Sequence, residues 1–276
     1  MRSRILVAAI GVPILLYVVL WGPSLLMLFA LALLAGIGGG ELYHCVGGER
    51  DPFLEVAAVL IPCFTVEWFC NRPQYVGIWF IISTLAVFTY AIIKGGAVRF
   101  HQIAAVLFGG IAIGYAFSAF LRIYASGVSR AYLLLPFILS FACDTFAYFT
   151  GLAIGRHKLA PRVSPKKTVE GAAGGLLGNV LCGLIFVFVM KRWFYSASGT
   201  IGYGSMAVLA LFCGVVAQVG DLSFSLIKRE FGVKDYGKIF LAHGGVLDRF
   251  DSVLFVAPTL AALMDTMQIG WRCTAG

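Results

Sequence analysis

The sequence predicts an all-α, polytopic membrane protein of about nine transmembrane helices, with two cytoplasmic polar loops forming the active site. Three observations carry this reading. Of 276 residues, 60% are hydrophobic and only 12% charged, about half the charged share usual in a soluble domain. The mean hydropathy is +0.92. Apolar runs near the roughly 20 residues needed to cross the hydrocarbon core as a helix recur along the whole chain.

The expected spans are Ile5–Leu20, Ser24–Cys45, Phe53–Cys70, Tyr75–Ile93, Ile103–Phe120, Ala131–Ile154, Gly171–Met190, Met206–Ile227 and Ser252–Ile269. Helices are expected rather than barrel strands because the runs are continuously apolar instead of alternating. Only Trp21-Gly22-Pro23 separates the first two, which leaves open one broken segment or two spans. Gln218 and Asp221 interrupt the eighth, which predicts an early end. Met1-Arg2-Ser3-Arg4 before an apolar run resembles a signal peptide, but that run is longer than a usual signal core, so it is read as a retained span.

Charge sets the expected orientation. Of the 21 Lys and Arg, 15 fall on the N-terminal side of a nine-span topology, including five between Arg156 and Lys167 and five between Lys228 and Arg249. Loops rich in Lys and Arg stay in the cytoplasm, so both long polar loops should face it. This distribution accounts for the net charge of +8 without any nucleic-acid partner. The seven cysteines form no CxxC pair and no zinc-like spacing with His, so they read as reduced and buried.

Two regions make up one integral membrane domain. Residues 1–130 carry about five spans with short connections. Residues 131–276 carry the other spans and both polar loops, Gly155–Glu170 and Lys228–Asp251, so chemistry is expected there. Pro161 and Pro165 argue against a helix through the first loop. Gly232, Gly237 and Gly244-Gly245 suit tight turns in the second.

Several charged residues are out of place in apolar surroundings. Asp144 lies within a span, where a charge costs about 2.5–3.5 kcal/mol on insertion scales. On a helix it shares a face with Tyr148 and Gly151. Glu41 and Glu67 are further acids at or in spans, with no role legible from sequence. The first loop combines Lys166 and Lys167 with Ser164, Thr168 and a helix start, a natural phosphate cradle. It is not a Walker loop, because the Gly-x4-Gly-Lys-Ser/Thr order is absent. In the second loop Asp248 and Asp251 are three apart, which would make them neighbours on a helical face. Close carboxylates repel unless a cation sits with them, and Asp221 stands ready to join. Oxygen ligands without Cys suit Mg²⁺. His243, before two glycines, is expected to touch substrate instead.

The stretch Ser225-x2-Lys228-Arg229-x4-Lys234-Asp235-x-Gly237-x5-His243-Gly244-Gly245-x2-Asp248-Arg249-x-Asp251 closely resembles the signature of the phosphatidate cytidylyltransferases, also called CDP-diacylglycerol synthases. Asp144-Thr145-x-Ala147-Tyr148 and Ser164-Pro165-Lys166-Lys167-Thr168-x-Glu170-Gly171 are similar to that family's two other characteristic stretches. Residues from about 140 to 255 carry the resemblance, and Leu241 departs from it where the family usually has Pro. The resemblance implies that CTP and phosphatidic acid give CDP-diacylglycerol and pyrophosphate at the cytoplasmic side of a membrane, expected to be a bacterial inner (plasma) membrane. The residue chemistry beside it points to Mg²⁺ at Asp221 and Asp248, with Asp251 as a further candidate ligand and a second cation left open. The catalytic residues would be Asp221, Asp248, Lys228, Arg229 and Asp144. Substrate contacts would come from Ser164, Lys166, Lys167, Thr168, Ser225, Lys234, His243, Gly244, Gly245 and Arg249. A CTP-dependent lipid kinase is the nearest alternative and lacks this full signature. A CDP-alcohol phosphotransferase would need an Asp-Gly-x2-Ala-Arg run that is absent. A transporter would show paired broken helices in related halves. The oligomeric state stays open, a homodimer included.

Overall fold

The computed structural model describes residues 13–47, 50–193, 201–237 and 244–267. Residues 13–20 are helical, and the chain turns at Trp21-Gly22 before Pro23, so the break between the first two apolar runs is formed. The long helices that follow are α1 (Ser24–Cys45), α2 (Pro52–Asn71), α3 (Val76–Ile93), α4 (Phe100–Ala125), α5 (Leu135–Ile154), α6 (Val169–Trp193) and α7 (Tyr203–Glu230). Between α5 and α6 lie two short strands, β1 (Lys158–Ala160) and β2 (Ser164–Thr168). A short helix α8 (Leu247–Phe250) and then α9 (Val253–Thr266) complete the described chain.

Counting the one-turn helix ahead of α3 as part of that crossing, seven helices among the described residues are long and apolar enough to span a membrane. The chain is a multi-pass, all-α membrane protein, and seven of the nine expected spans are found at full length among the described residues. The expected first span lies partly outside the described residues. The expected last span is helical over 14 residues, about 21 Å at 1.5 Å per residue and short of a full crossing. Nor does α7 end early: it runs unbroken past Gln218 and Asp221 to Glu230. Gln218 explains this locally, because its amide donates to the Ala172 carbonyl (3.0 Å) and so is satisfied without leaving the helix.

The chain divides into two compact units, one of Met1–Leu121 with Lys228–Phe250 and one of Arg122–Ile227 with Asp251–Gly276. In the first, α1 and α2 approach closely through small residues. Pro62 inside α2 has no N–H for the Ala58 carbonyl, and a Cβ at Gly39 of α1 would land on that same carbonyl. Leu54, Ala58, Ile61, Val87, Ile103 and Val106 make up the adjoining core. Trp79 of α3 donates to Thr65 of α2 (3.0 Å), tying the two helices. Ile78, Phe80, Ile81, Ile82 and Leu85 of α3 remain exposed, as residues of a lipid-facing helix would.

In the second unit α5 and α6 are joined by a glycine seam. A Cβ at Gly174 would run into Thr150, and one at Gly178 into the Phe146 ring. Without a hydrophobic force between helices in lipid, such close backbone approach is what holds them. Asn179 of α6, fully buried, donates to the Ala210 carbonyl of α7 (2.7 Å).

Candidate active site

The first polar loop is a β-hairpin, β1 antiparallel to β2 with Lys158 opposite Thr168 and Ala160 opposite Ser164. Pro161 follows β1 in the turn, which is why no helix crosses this segment. The hairpin runs directly into α6. Thr168 caps that helix, its Oγ1 accepting from the Gly171 N–H (3.1 Å), as a Thr at this position should. Glu170 clamps the other end of the hairpin: it accepts from the Arg156 N–H (3.0 Å) and meets His157 Nδ1 (2.6 Å). These bonds fix β2 in register, and strand alternation then sends Lys166 outward, exposed, and leaves Lys167 half-buried.

Lys167 is the centre of the second unit's charged cluster. Its ammonium makes an ion pair with Asp221 of α7. Burial pulls the Lys167 pKa below the ordinary lysine value, and Asp144 and Asp251 oppose that pull. Lys167, Asp251 and Ser252 each act on the carboxyl of Asp144 of α5. Of the predicted acids, Asp221 thus pairs directly with Lys167, while Asp144 and Asp251 act on the same lysine through their charge. The Asp144 side chain is exposed, while Gly151 on the same helix meets Thr168 and Gly171 closely, as a face that is polar and then narrow requires.

The helical face expected to carry both Asp248 and Asp251 is not formed. Helix α8 stops at Phe250, and Asp251 sits in the turn that follows, its Oδ1 accepting from the Ser252 N–H (2.7 Å). Such a local side-chain bond offers the backbone an alternative to helix.

Asp248 belongs to the first unit, where it ties the second polar loop together. Oδ1 receives Lys228 Nζ (2.8 Å), and Oδ2 receives the N–H groups of Tyr236 (2.8 Å) and Gly245 (2.9 Å). Burial by itself would raise the Asp248 carboxyl, but Lys228 and these two N–H groups hold it below the ordinary value of 3.8. Helix α7 ends just before, at Gly232 (φ +66°), with Val233 N–H on the Lys228 carbonyl (2.9 Å) and Gly232 N–H on the Arg229 carbonyl (3.3 Å). This is the Schellman pattern that glycine makes cheap. At Gly244 (φ +81°) a Cβ would also crowd Asp248, so the left-handed turn and the carboxylate together demand glycine there.

Of the remaining predicted residues, Arg229, Lys234 and Arg249 are exposed, Ser164 and Ser225 half-buried, and Gly245 buried. His243 and Leu241 lie outside the described residues. Sequence reasoning did not foresee Glu41 as part of the loop's support. The one signal available was an acid inside a span, and its partners lie some two hundred residues away.

Helices long and apolar enough to cross a membrane define an integral membrane protein, with Lys167 on Asp221 beside a hairpin in one unit and Lys228 on Asp248 in a glycine-turned loop in the other. The chain matches the cytidylyltransferase family over residues 2–267, and it belongs to that family. It is 33% identical to the phosphatidate cytidylyltransferase of Staphylococcus epidermidis, covering 96% of this chain and 99% of that one. It is 32% identical to that of Staphylococcus aureus, with 96% and 99% covered, and 33% identical to that of Staphylococcus haemolyticus, with 97% and 100% covered.

Proposed function

We propose that the protein transfers the cytidylyl group of CTP to phosphatidate, giving CDP-diacylglycerol and pyrophosphate, with Mg²⁺ and at the cytoplasmic face of the membrane. The observation that carries the reading is the Lys167–Asp221 ion pair beside the hairpin, with Asp144 and Asp251 acting on the same ammonium through their charge, in a member of the cytidylyltransferase family. In the reaction a phosphate oxygen of the lipid bonds to the α-phosphorus of CTP, and the bond from that phosphorus to the bridging oxygen breaks, releasing pyrophosphate. The attacking oxygen is already anionic, so neither a strong base nor a covalent enzyme intermediate is needed. The protein must align two anions and neutralise charge growing on the leaving group.

Several of the predicted groups have a part. Lys167, held half-buried against Asp221, offers a fixed positive charge, and exposed Lys166 beside it offers a mobile one. Lys228 is aimed by Asp248, and Arg229 is the neighbouring cation on α7. The donor set fits Mg²⁺ in its chemistry, since the gathered ligands are carboxylate oxygens. Within either unit, no three His, Cys, Asp or Glu side chains among the described residues stand close enough together to hold an ion as they are. Asp221 and Asp251 are the residues proposed to hold it, and the ion would shield phosphate charge. The cytoplasmic orientation is supported by the Lys and Arg content of the hairpin and the second loop.

Purified protein incubated with phosphatidate vesicles and CTP labelled at either phosphorus tests the reading. Label from [α-³²P]CTP is expected in the lipid and label from [γ-³²P]CTP in pyrophosphate. Transfer of the γ label to lipid identifies a CTP-dependent kinase instead.

A further inference from the structure

Glu41 lies in the last turns of α1, a helix apolar and long enough to span a membrane, and only 6% of it is exposed. Burying a charge there is costly, and it persists where partners offset that cost. Here the partners are backbone. One oxygen accepts from the Val246 N–H and the other from the Leu247 N–H, each at 2.9 Å and from 205 and 206 residues further along the chain. Hydrogen bonds to an ionised carboxylate are roughly twice as strong as neutral ones. A Cβ at Gly237 or at Gly245 would land on Oε1 of Glu41. Two glycines of the second loop are therefore shaped around this one side chain, and Asp248 grips the same turn through the Gly245 N–H.

We infer that Glu41 is a positioning residue for the loop at 244–248. Carried on a helix, it sets the backbone of Val246 and Leu247, and through them the place of Asp248 and the Lys228 ammonium bound to it. The link from loop geometry to turnover rests on the cytidylyl transfer proposed above; the anchoring rests on the contacts alone.

Glu41→Gln keeps size and one acceptor oxygen but turns an amide NH₂ toward an N–H donor. Turnover of the purified full chain with CTP, phosphatidate vesicles and Mg²⁺ is expected to fall on the order of 10²-fold in kcat, as for a small misplacement of aligned groups, with much less change in KM. Trypsin is expected to cut after exposed Lys234 several-fold faster than in the wild type. Wild-type kcat with wild-type cleavage would overturn the inference, and so would lost turnover with unchanged cleavage. If the wild type forms no CDP-lipid, the reaction reading fails, yet faster cleavage in Glu41→Gln still supports the anchor. A second pair keeps the test open should Glu41→Gln not accumulate. Gly245→Ala collides with the Glu41 carboxylate, and Glu41→Asp withdraws that carboxylate. Gly245→Ala should therefore cleave faster in the wild-type background than in the Glu41→Asp background, relative to each parent. Strictly additive effects count against the inference.

Discussion

Carboxylates in the two units have different partners. In the first unit Glu41 and Asp248 give most of their oxygens to backbone N–H groups, at Val246, Leu247, Tyr236 and Gly245. In the second unit Asp221 pairs with the ammonium of Lys167, and Asp144 and Asp251 act on it through their charge. An acid bonded to backbone fixes the shape of a loop and loses that role wherever its charge or its length changes. An acid gathered with other acids at one cation contributes charge, and mutual repulsion among such acids favours a further cation nearby. The first group builds, and on the function proposed above the second group would bind. The same residue type therefore predicts two kinds of failure, and substitution separates them.

The largest expected effect tests the building role. The Lys228 side chain is 15% exposed and that of Asp248 4%, so Asp248→Asn strands a nearly buried ammonium. Removing one partner of a buried pair costs about 3–5 kcal/mol, to be read as lost unfolding stability in detergent. The pH dependence has a definite sign. A carboxyl held below its ordinary value stabilises fully above about 3.8 and loses that contribution as pH falls through its lowered value. The wild type should therefore lose stability on acidification over that range more steeply than Asp248→Asn. Equal slopes and equal stability would place Asp248 with the charge-bearing acids instead.

Next comes the binding role. Asp221→Asn keeps the shape and removes the charge that Lys167 faces, and turnover should fall at least about 10²-fold, on the order of 3 kcal/mol of lost transition-state stabilisation. Unfolding stability should change far less than in Asp248→Asn. Raising Mg²⁺ should recover part of the loss if Asp221 helps to hold the ion. Near-normal turnover with unchanged Mg²⁺ dependence would remove Asp221 from the site. A smaller effect is expected in the α5–α6 seam, where Gly174→Ala drives a methyl into Thr150 and overpacking costs about 1–3 kcal/mol. Stability should drop in that variant, and a further Thr150→Ala should restore part of it.

Much of this was legible in the residues. Apolar runs gave the positions of seven long helices, because in lipid a backbone must satisfy itself and helices do so locally. Two prolines mark the hairpin loop as non-helical, and Asp144, Lys167, Asp221 and Asp251 each stand out in the sequence as charges in or beside apolar spans. What escaped were features settled by distant contacts. The hairpin's register depends on Glu170 reaching back to Arg156 and His157. The early stop of α8 depends on a side-chain bond at Asp251. Glu41 was visible as an oddity, but its partners are N–H groups, and every residue except proline offers one, so no sequence pattern marks them.

The smallest expected effect provides the baseline for the comparison. Arg122 and Asp265 approach to 3.6 Å with side chains 23% and 41% exposed, a partly exposed ion pair. Solvent screens such a pair, and holding two side chains in one geometry costs entropy, so exposed pairs typically contribute roughly 0–1 kcal/mol. Asp265→Asn should leave turnover at the wild-type level and lower unfolding stability by no more than that amount, with the difference shrinking further as salt is raised. Measured beside Asp248→Asn and Asp221→Asn, it shows what loss of an acid does when the acid has neither role. A drop in turnover comparable to that of Asp221→Asn would mean that carboxylates well outside the described clusters also serve the reaction. The contrast between building and binding acids would then fail as an account of which residues matter.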